Sequence, residues 1–192
     1  MSDMKSLEFI FFLAALVFYV RHLFISKFTP HPLAFAIWLT ADVINFFTYT
    51  DFSKFWIGPA LMPLGAGTVV IIAIIRRKQA ERKPFKLADW ICVGIAVASL
   101  LVWAITRNAI WANMFVQVLL VLGFVPIIGN ILANKPEPLL PWFFFILGFT
   151  VTCVDTLMGY ENRLELVYPI ANLFCSLLVF VGSWSISPEE AS

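Results

Sequence analysis

Seven apolar stretches separated by short polar connections divide the chain near 7–25, 33–50, 57–76, 88–106, 110–133, 139–158 and 165–185, each approaching the roughly 17–25 residues that cross a hydrocarbon core. The pattern predicts an all-α integral membrane protein with seven transmembrane helices. Laid on itself with a shift of about 106 residues, the chain brings two blocks of three segments into register, from Leu7 to Ile75 and from Asn113 to Val181. Pro30-His31-Pro32-Leu33 then falls on Pro136-Glu137-Pro138-Leu139, and Pro63 falls on Pro169. Leu and Phe matches carry little weight in so apolar a chain. Prolines do, because a Pro pair opening one helix and a Pro within another are positional devices. Corresponding helices are separated by an even number of crossings, so the two three-helix repeats run parallel, joined by an inverting linker helix. The expected division is 1–80 for the first repeat, 81–108 for a basic loop and linker helix, 109–187 for the second repeat and 188–192 for a C-terminal tail.

Composition agrees with the segment pattern: 61% of residues are hydrophobic and 13% charged, with a mean hydropathy of +0.90. The first segment lacks a small-residue cleavage site and reads as a retained span. Cys92, Cys153 and Cys175 all sit within spans and read as small packing residues. Cytoplasmic flanks are enriched in Lys and Arg. Arg21, Lys27, Arg76, Arg77, Lys78, Arg82, Lys83, Lys86 and Lys135 fall on one side, against Lys5, Lys54, Arg107 and Arg163 on the other. The N-terminus is therefore expected outside and the C-terminus in the cytoplasm, in a plasma membrane or bacterial inner membrane. A net charge of +1 with short soluble parts implies no nucleic-acid partner. The run from Arg76 to Lys83 reads as a topogenic loop, with anionic lipid headgroups as its alternative partner.

Within the spans, polar residues are the candidates for function, since a carboxylate at the bilayer centre costs at least roughly 2.5 kcal/mol on insertion scales. Asp42 lies near the middle of the second segment, and Trp38, Asn45 and Tyr49 share its helical face. The repeat-related positions are Phe144, Gly148, Val151 and Asp155, so a carboxylate recurs on the matching face nearer the outside. Asp155 is a candidate proton-coupling residue beside Asp42, or an ordinary interfacial acid. Tyr168, Asn172 and Ser176 form a second stripe just after Pro169. Pro126 and Pro169 are the candidate hinges. Asn113, Gln117 and Asn130 read as interhelical hydrogen-bond glue. For Asn172 glue and ligand both stay open, and for Asp42 the alternative to proton or solute handling is a protonated or paired structural carboxyl. Gly65, Ala66 and Gly67 read as close helix packing or as ligand access. Trp56, Trp90, Trp111 and Trp184 lie at segment ends, as interfacial anchors do.

The stretch from Pro126 through Asn130, Lys135, Pro136, Glu137, Pro138 and Pro141 to Trp142 and Phe143 resembles the helix-loop-helix of PQ-loop and SWEET-type transporters. In that motif a helix proline is followed by a basic loop, a Glu or Ser, a proline and an aromatic. The seven-span plan with parallel repeats and an outside N-terminus is similar to the same families. The resemblance implies a small polar solute bound between the bundles, Asn172 placed like the family's seventh-helix asparagine, and alternating access by rocking. Asp42 is similar to the membrane-embedded aspartate of proton-coupled PQ-loop carriers. Pro126-Ile127 stands where the family's proline–glutamine pair would be, and Val20 stands opposite Pro126 in the first repeat.

Other classes fit less well. The last segment has no lysine for a retinal Schiff base. His22 and His31 lie near one membrane face, with neither metal-ligand spacing nor a nucleophile–base pair beside them. No enzyme activity, cofactor or metal is expected. The expected function is transport of a sugar-like or amino-acid-like solute, with proton coupling at Asp42 and Asp155 and a solute site of Trp38, Asp42, Asn45, Tyr168 and Asn172. Membrane lipids are the surrounding partners, and homo-oligomerisation is left open. The alternative is a non-transporting seven-helix subunit or receptor that binds a partner protein or lipid.

Overall fold

The computed structural model describes residues 2–25, 32–50, 57–77, 87–106, 109–159 and 163–186. All seven apolar segments are helical: α1 (Ser2–Ile25), α2 (Pro32–Thr50), α3 (Ile57–Arg77), α4 (Leu87–Thr106), α5 (Ala109–Gly123), α6 (Val125–Leu132), α7 (Leu139–Gly159) and α8 (Val167–Ser185). A 3₁₀ helix, Arg163–Leu166, leads into α8. The fifth segment is helical with an interruption at Phe124. Pro126 accounts for the interruption, because it donates no N–H and its ring clashes with the carbonyl four residues earlier. Among the described residues, four helices are long and apolar enough to span a membrane: Met4–Ile25, Met114–Leu132, Leu139–Gly159 and Val167–Ser185. Phe35–Phe47 and Leu61–Ile72 are shorter apolar helices.

The helices gather into two compact units, Met1–Ser26 with Phe124–Ser192, and Lys27–Gly123. This grouping departs from the sequence boundaries at 80/81 and 108/109, and the linker α4 packs inside the second unit. The physical reason is the aromatic face of α1. In the first unit α1 lies along α7, and α7 and α6 pack on α8. Phe12, Ala15, Tyr19 and Leu23 form the buried stripe of α1. Phe12 meets Phe149 edge-on at 4.9 Å, and Phe18 stacks on Phe144 at 5.3 Å. Gly148 admits the Phe12 ring, whose Cε1 would stand 2.7 Å from any Cβ placed there. In the second unit α2 packs on α3 and α5, and α4 on α5. Ala41, Ile44, Val69, Val116, Leu119 and Leu120 form much of its interior.

Both units carry large apolar side chains on the outside and enclose several polar ones within a mostly apolar interior. Ile10, Val17, Phe24, Phe47, Ile71, Val118, Phe174 and Val181 are exposed, whereas Glu8, Asp42, Asn45, Gln117, Asp155 and Ser176 are buried. A water-soluble protein sorts these residue types the other way. Hydrocarbon as the surrounding medium explains the sorting. Trp90 and Trp184 are exposed near helix ends.

Gly148→Ala should lower stability by about 1–3 kcal/mol through overpacking against Phe12. Gly94 has open space around its Cβ position, and Gly94→Ala should be neutral or stabilise by up to about 1 kcal/mol. Thermal unfolding in detergent compares the two, and equal melting temperatures would refute the close α1–α7 contact.

Candidate functional site

On α2 the spacing of Trp38, Asp42 and Asn45 places all three on one buried face. Asn45 is fully buried and accepts a hydrogen bond from Gln117 Nε2 of α5 at 3.1 Å. Trp38 Nε1 donates to the Leu120 carbonyl at 3.0 Å, one turn before the helix interruption. Its ring lies edge-on to Phe35 and against Gly123, where any side chain would collide with the indole. Trp38 is thus held by structural contacts on every side described. Asp42 differs, because it is 5% exposed and no described residue hydrogen-bonds or ion-pairs with it. The side chains of Tyr49 and Asn113 lie outside the described residues, as do those of the Arg76–Lys83 run.

The remaining candidates lie in the other unit, on the α7–α8 hairpin. Asn172 Nδ2 donates to the Tyr168 carbonyl at 2.8 Å, so its amide is spent on its own helix. Tyr168 is buried with its ring edge-on to Phe149 at 5.9 Å. Asp155 is 3% exposed, in the protein interior. Its Oδ2, together with Thr156 Oγ1 and Ser176 Oγ, is buried without a hydrogen-bond partner among the described residues. Asp155 precedes the end of α7 by four residues and Asn172 follows the start of α8 by five, placing them at similar depths of about 6–8 Å along the two helices. The candidate residues therefore form two groups: Trp38, Asp42 and Asn45 in one unit, Asp155, Tyr168 and Asn172 in the other.

The candidate hinges differ in setting. Pro126 is the second residue of α6, directly after the interruption. Pro169 is the third residue of α8, where a missing N–H breaks no intrahelical bond.

Sequence reasoning missed three buried acids, Glu8, Glu137 and Glu165. Glu137 has the best-defined setting. α6 ends with Asn134 in the left-handed region at φ 56. Asn134 N–H reaches the Ile131 carbonyl and Lys135 N–H the Asn130 carbonyl, the bonding of a Schellman motif. This turn delivers Glu137 to a buried position, 3% exposed, where Tyr19 Oη of α1 donates to its Oε2 at 3.1 Å. Its backbone N–H donates to Ser183 Oγ of α8 at 3.1 Å. Burial pushes the Glu137 carboxyl up to about 7, against the opposing effects of the Tyr19 hydroxyl and the neighbouring Trp142 indole, which favour the charge. The signal in the sequence was an acid held between two prolines.

No protein-family model, curated protein or solved structure matches this chain.

The Asn45–Gln117 pair gives a measurable coupling. A double-mutant cycle of Asn45→Ala and Gln117→Ala, read by unfolding in detergent, should return about 0.6–2 kcal/mol. Strict additivity would show that the two amides do not meet.

Proposed function

We propose that this protein is a seven-span membrane carrier of a small polar solute, working by alternating access, with no enzymatic step. The observation that carries the reading is Asp42, a buried carboxyl with no partner among the described residues, on an apolar helix. Such a group is costly in a membrane and marks a solute or proton path by default. Asp42 takes up a proton or the cationic group of a solute. Asn45 and Asn172 supply hydrogen bonds, and Trp38 and Tyr168 supply aromatic surface. Asp155, with its unpartnered buried oxygen, is the second proton-coupling residue.

A duplicated architecture is supported by helix bounds. Shifted by about 106 residues, α1 covers 108–131, α2 covers 138–156 and α3 covers 163–183, closely tracking α5–α6, α7 and the 3₁₀ helix with α8. Packing follows the same relation in an exchanged form. α1 packs on α7, and its repeat counterpart α5 packs on α2. Each repeat's first helix thus joins the other repeat's second helix. Pro126 is the favoured hinge, because the chain passes from one unit to the other at Phe124. The distribution of basic flanks supports an N-terminus outside and a C-terminus in the cytoplasm, in a plasma or bacterial inner membrane.

One observation favours the second reading, a non-transporting subunit or receptor. The Asn45 and Asn172 amides already bond within the chain, as structural glue would.

The test is the melting temperature of the purified protein against sugars, amino acids and vitamins at two pH values, for wild type and Asp42→Asn. A solute at 100 times its Kd should stabilise by about 2.7 kcal/mol, in a pH-dependent manner that Asp42→Asn abolishes. Unchanged pH dependence in a folded Asp42→Asn protein would remove the proton-handling role. Absence of any shift, with no uptake into proteoliposomes, would favour the subunit reading.

A further inference from the structure

A second carboxyl, Glu137, stands apart from the proposed solute residues and joins three separate pieces of one unit. Its side chain takes the Tyr19 hydroxyl of α1, its amide takes Ser183 of α8, and its backbone belongs to the loop that closes α6 onto α7. Pro136 and Pro138 flank it and restrict the local backbone. The loop cannot leave α1 and α8 without exposing Glu137, nor can Glu137 reach water without loosening the loop. We propose that Glu137, Tyr19 and Ser183 form a proton-operated latch, closed on α1 and α8 when Glu137 is neutral and released when Glu137 ionises.

Among the described residues, the charged and titratable groups around it are few. On α1 they are Tyr19 itself and His22, one turn further along, with Arg21 exposed beside them. Lys135 in the loop is exposed, and neither α6 nor the adjoining parts of α7 and α8, Leu139–Leu147 and Phe180–Ser185, contain an ionisable residue. No described cation is buried with the carboxyl to hold its charge, so a buried neutral acid is the favoured form. The carboxyl's raised value, about 7 against 4.5 when solvated, gives the sign. The closed state binds more protons than the open one between these values. Its stability is therefore fully present below about 4.5, declines as pH rises and is lost by about 7. The latch opens toward alkaline pH. This inference does not depend on the carrier reading, since a receptor or subunit could use the same device.

The local sequence supplies its own reporter. Prolines on both sides leave the Glu137 amide as the one exchangeable backbone proton among residues 136–138. Hydrogen–deuterium exchange of the full chain in detergent, corrected for intrinsic rates and expressed as wild type over Glu137→Gln, should rise by up to about tenfold per pH unit between 4.5 and 7 and then level off. A ratio that stays flat from about pH 5 to 7.5 would overturn the latch. Tyr19→Phe removes a donor that favours the charge, so the midpoint should move to higher pH. An unmoved midpoint would remove Tyr19 from the device. Ser183→Ala should speed Glu137 amide exchange at every pH while leaving the profile's shape intact. His22→Gln should leave the profile unchanged, and its abolition by that variant would assign the pH response to the histidine and refute the proposal. If Glu137→Gln does not fold, the intrinsically corrected wild-type profile and its shift in Tyr19→Phe decide the matter by the same criteria.

Discussion

Hydrocarbon satisfies no hydrogen bond, and that constraint organises the rest of this molecule. Every backbone group in a span must bond within its helix, and every side-chain polar group must find a partner, a cavity or a neutral form. The arrangement of Asn45 on Gln117, Trp38 on the Leu120 carbonyl and Thr152 on the Gly148 carbonyl follows from it. These contacts lie on the buried faces of helices whose outer faces are Ile, Val, Leu and Phe. Against that background a polar group without a described partner is conspicuous. Among the described residues, Asp42 and the Asp155–Thr156–Ser176 set include buried groups that find no such partner, and so they carry the proposed functional reading.

In lipid, apolar area alone gives helices little reason to prefer one neighbour over another, so shape decides. α1 and α7 meet through the entry of Phe12 over Gly148, flanked by the stacked Phe18 and Phe144. α2 and α5 meet through Trp38 over Gly123, with Asn45 and Gln117 bonded one to two turns away. The two interfaces use a large aromatic and a glycine in both cases, but on opposite partners. In the first the glycine is on the second helix of its proposed repeat, and in the second it is on the first helix. Gly148 also occupies the repeat position of Asp42. In the proposed repeat that aligned position is a packing site on one helix and a carboxyl on the other.

Helix existence was legible in the sequence because hydropathy over twenty residues reports directly on the medium. The bounds of α2, α3, α4 and α7 fall within a residue or so of the apolar segments. Partner choice was not legible. Whether α1 packs on α2 or on α7 depends on the fit of Phe12 to a glycine 136 positions away, and no local pattern encodes that. Pro126 was visible as a break, and the structure puts the break at Phe124. Pro169 reads as a proline inside the segment 165–185, whereas the segment's first residues belong to the 3₁₀ turn and α8 starts only at Val167. Asp155 looked interfacial from its distance to the segment end, yet tertiary packing buries it. Glu137 was legible only as part of the loop motif and not as a buried group, because an acid in a connection between spans is ordinarily solvated. Only the Schellman turn and the contacts from α1 and α8 bring it inside.

The interrupted fifth segment is where the proposed hinge lies. Before the interruption, α5 is tied to α2 by the Trp38 indole at Leu120 and by Gln117. After it, Phe124 packs on Trp142 at 5.8 Å, and Ile131 of α6 lies against Gly182 of α8. Each half is therefore fixed to its own unit by specific contacts, while the missing amide of Pro126 removes a backbone bond between them. This is why the proposed carrier has its hinge at Pro126, between the last contacts of α5 and the first of α6. A hinge there needs no special flexibility in the helices. It needs only that the contacts on both sides be stronger than the one hydrogen bond that proline leaves out.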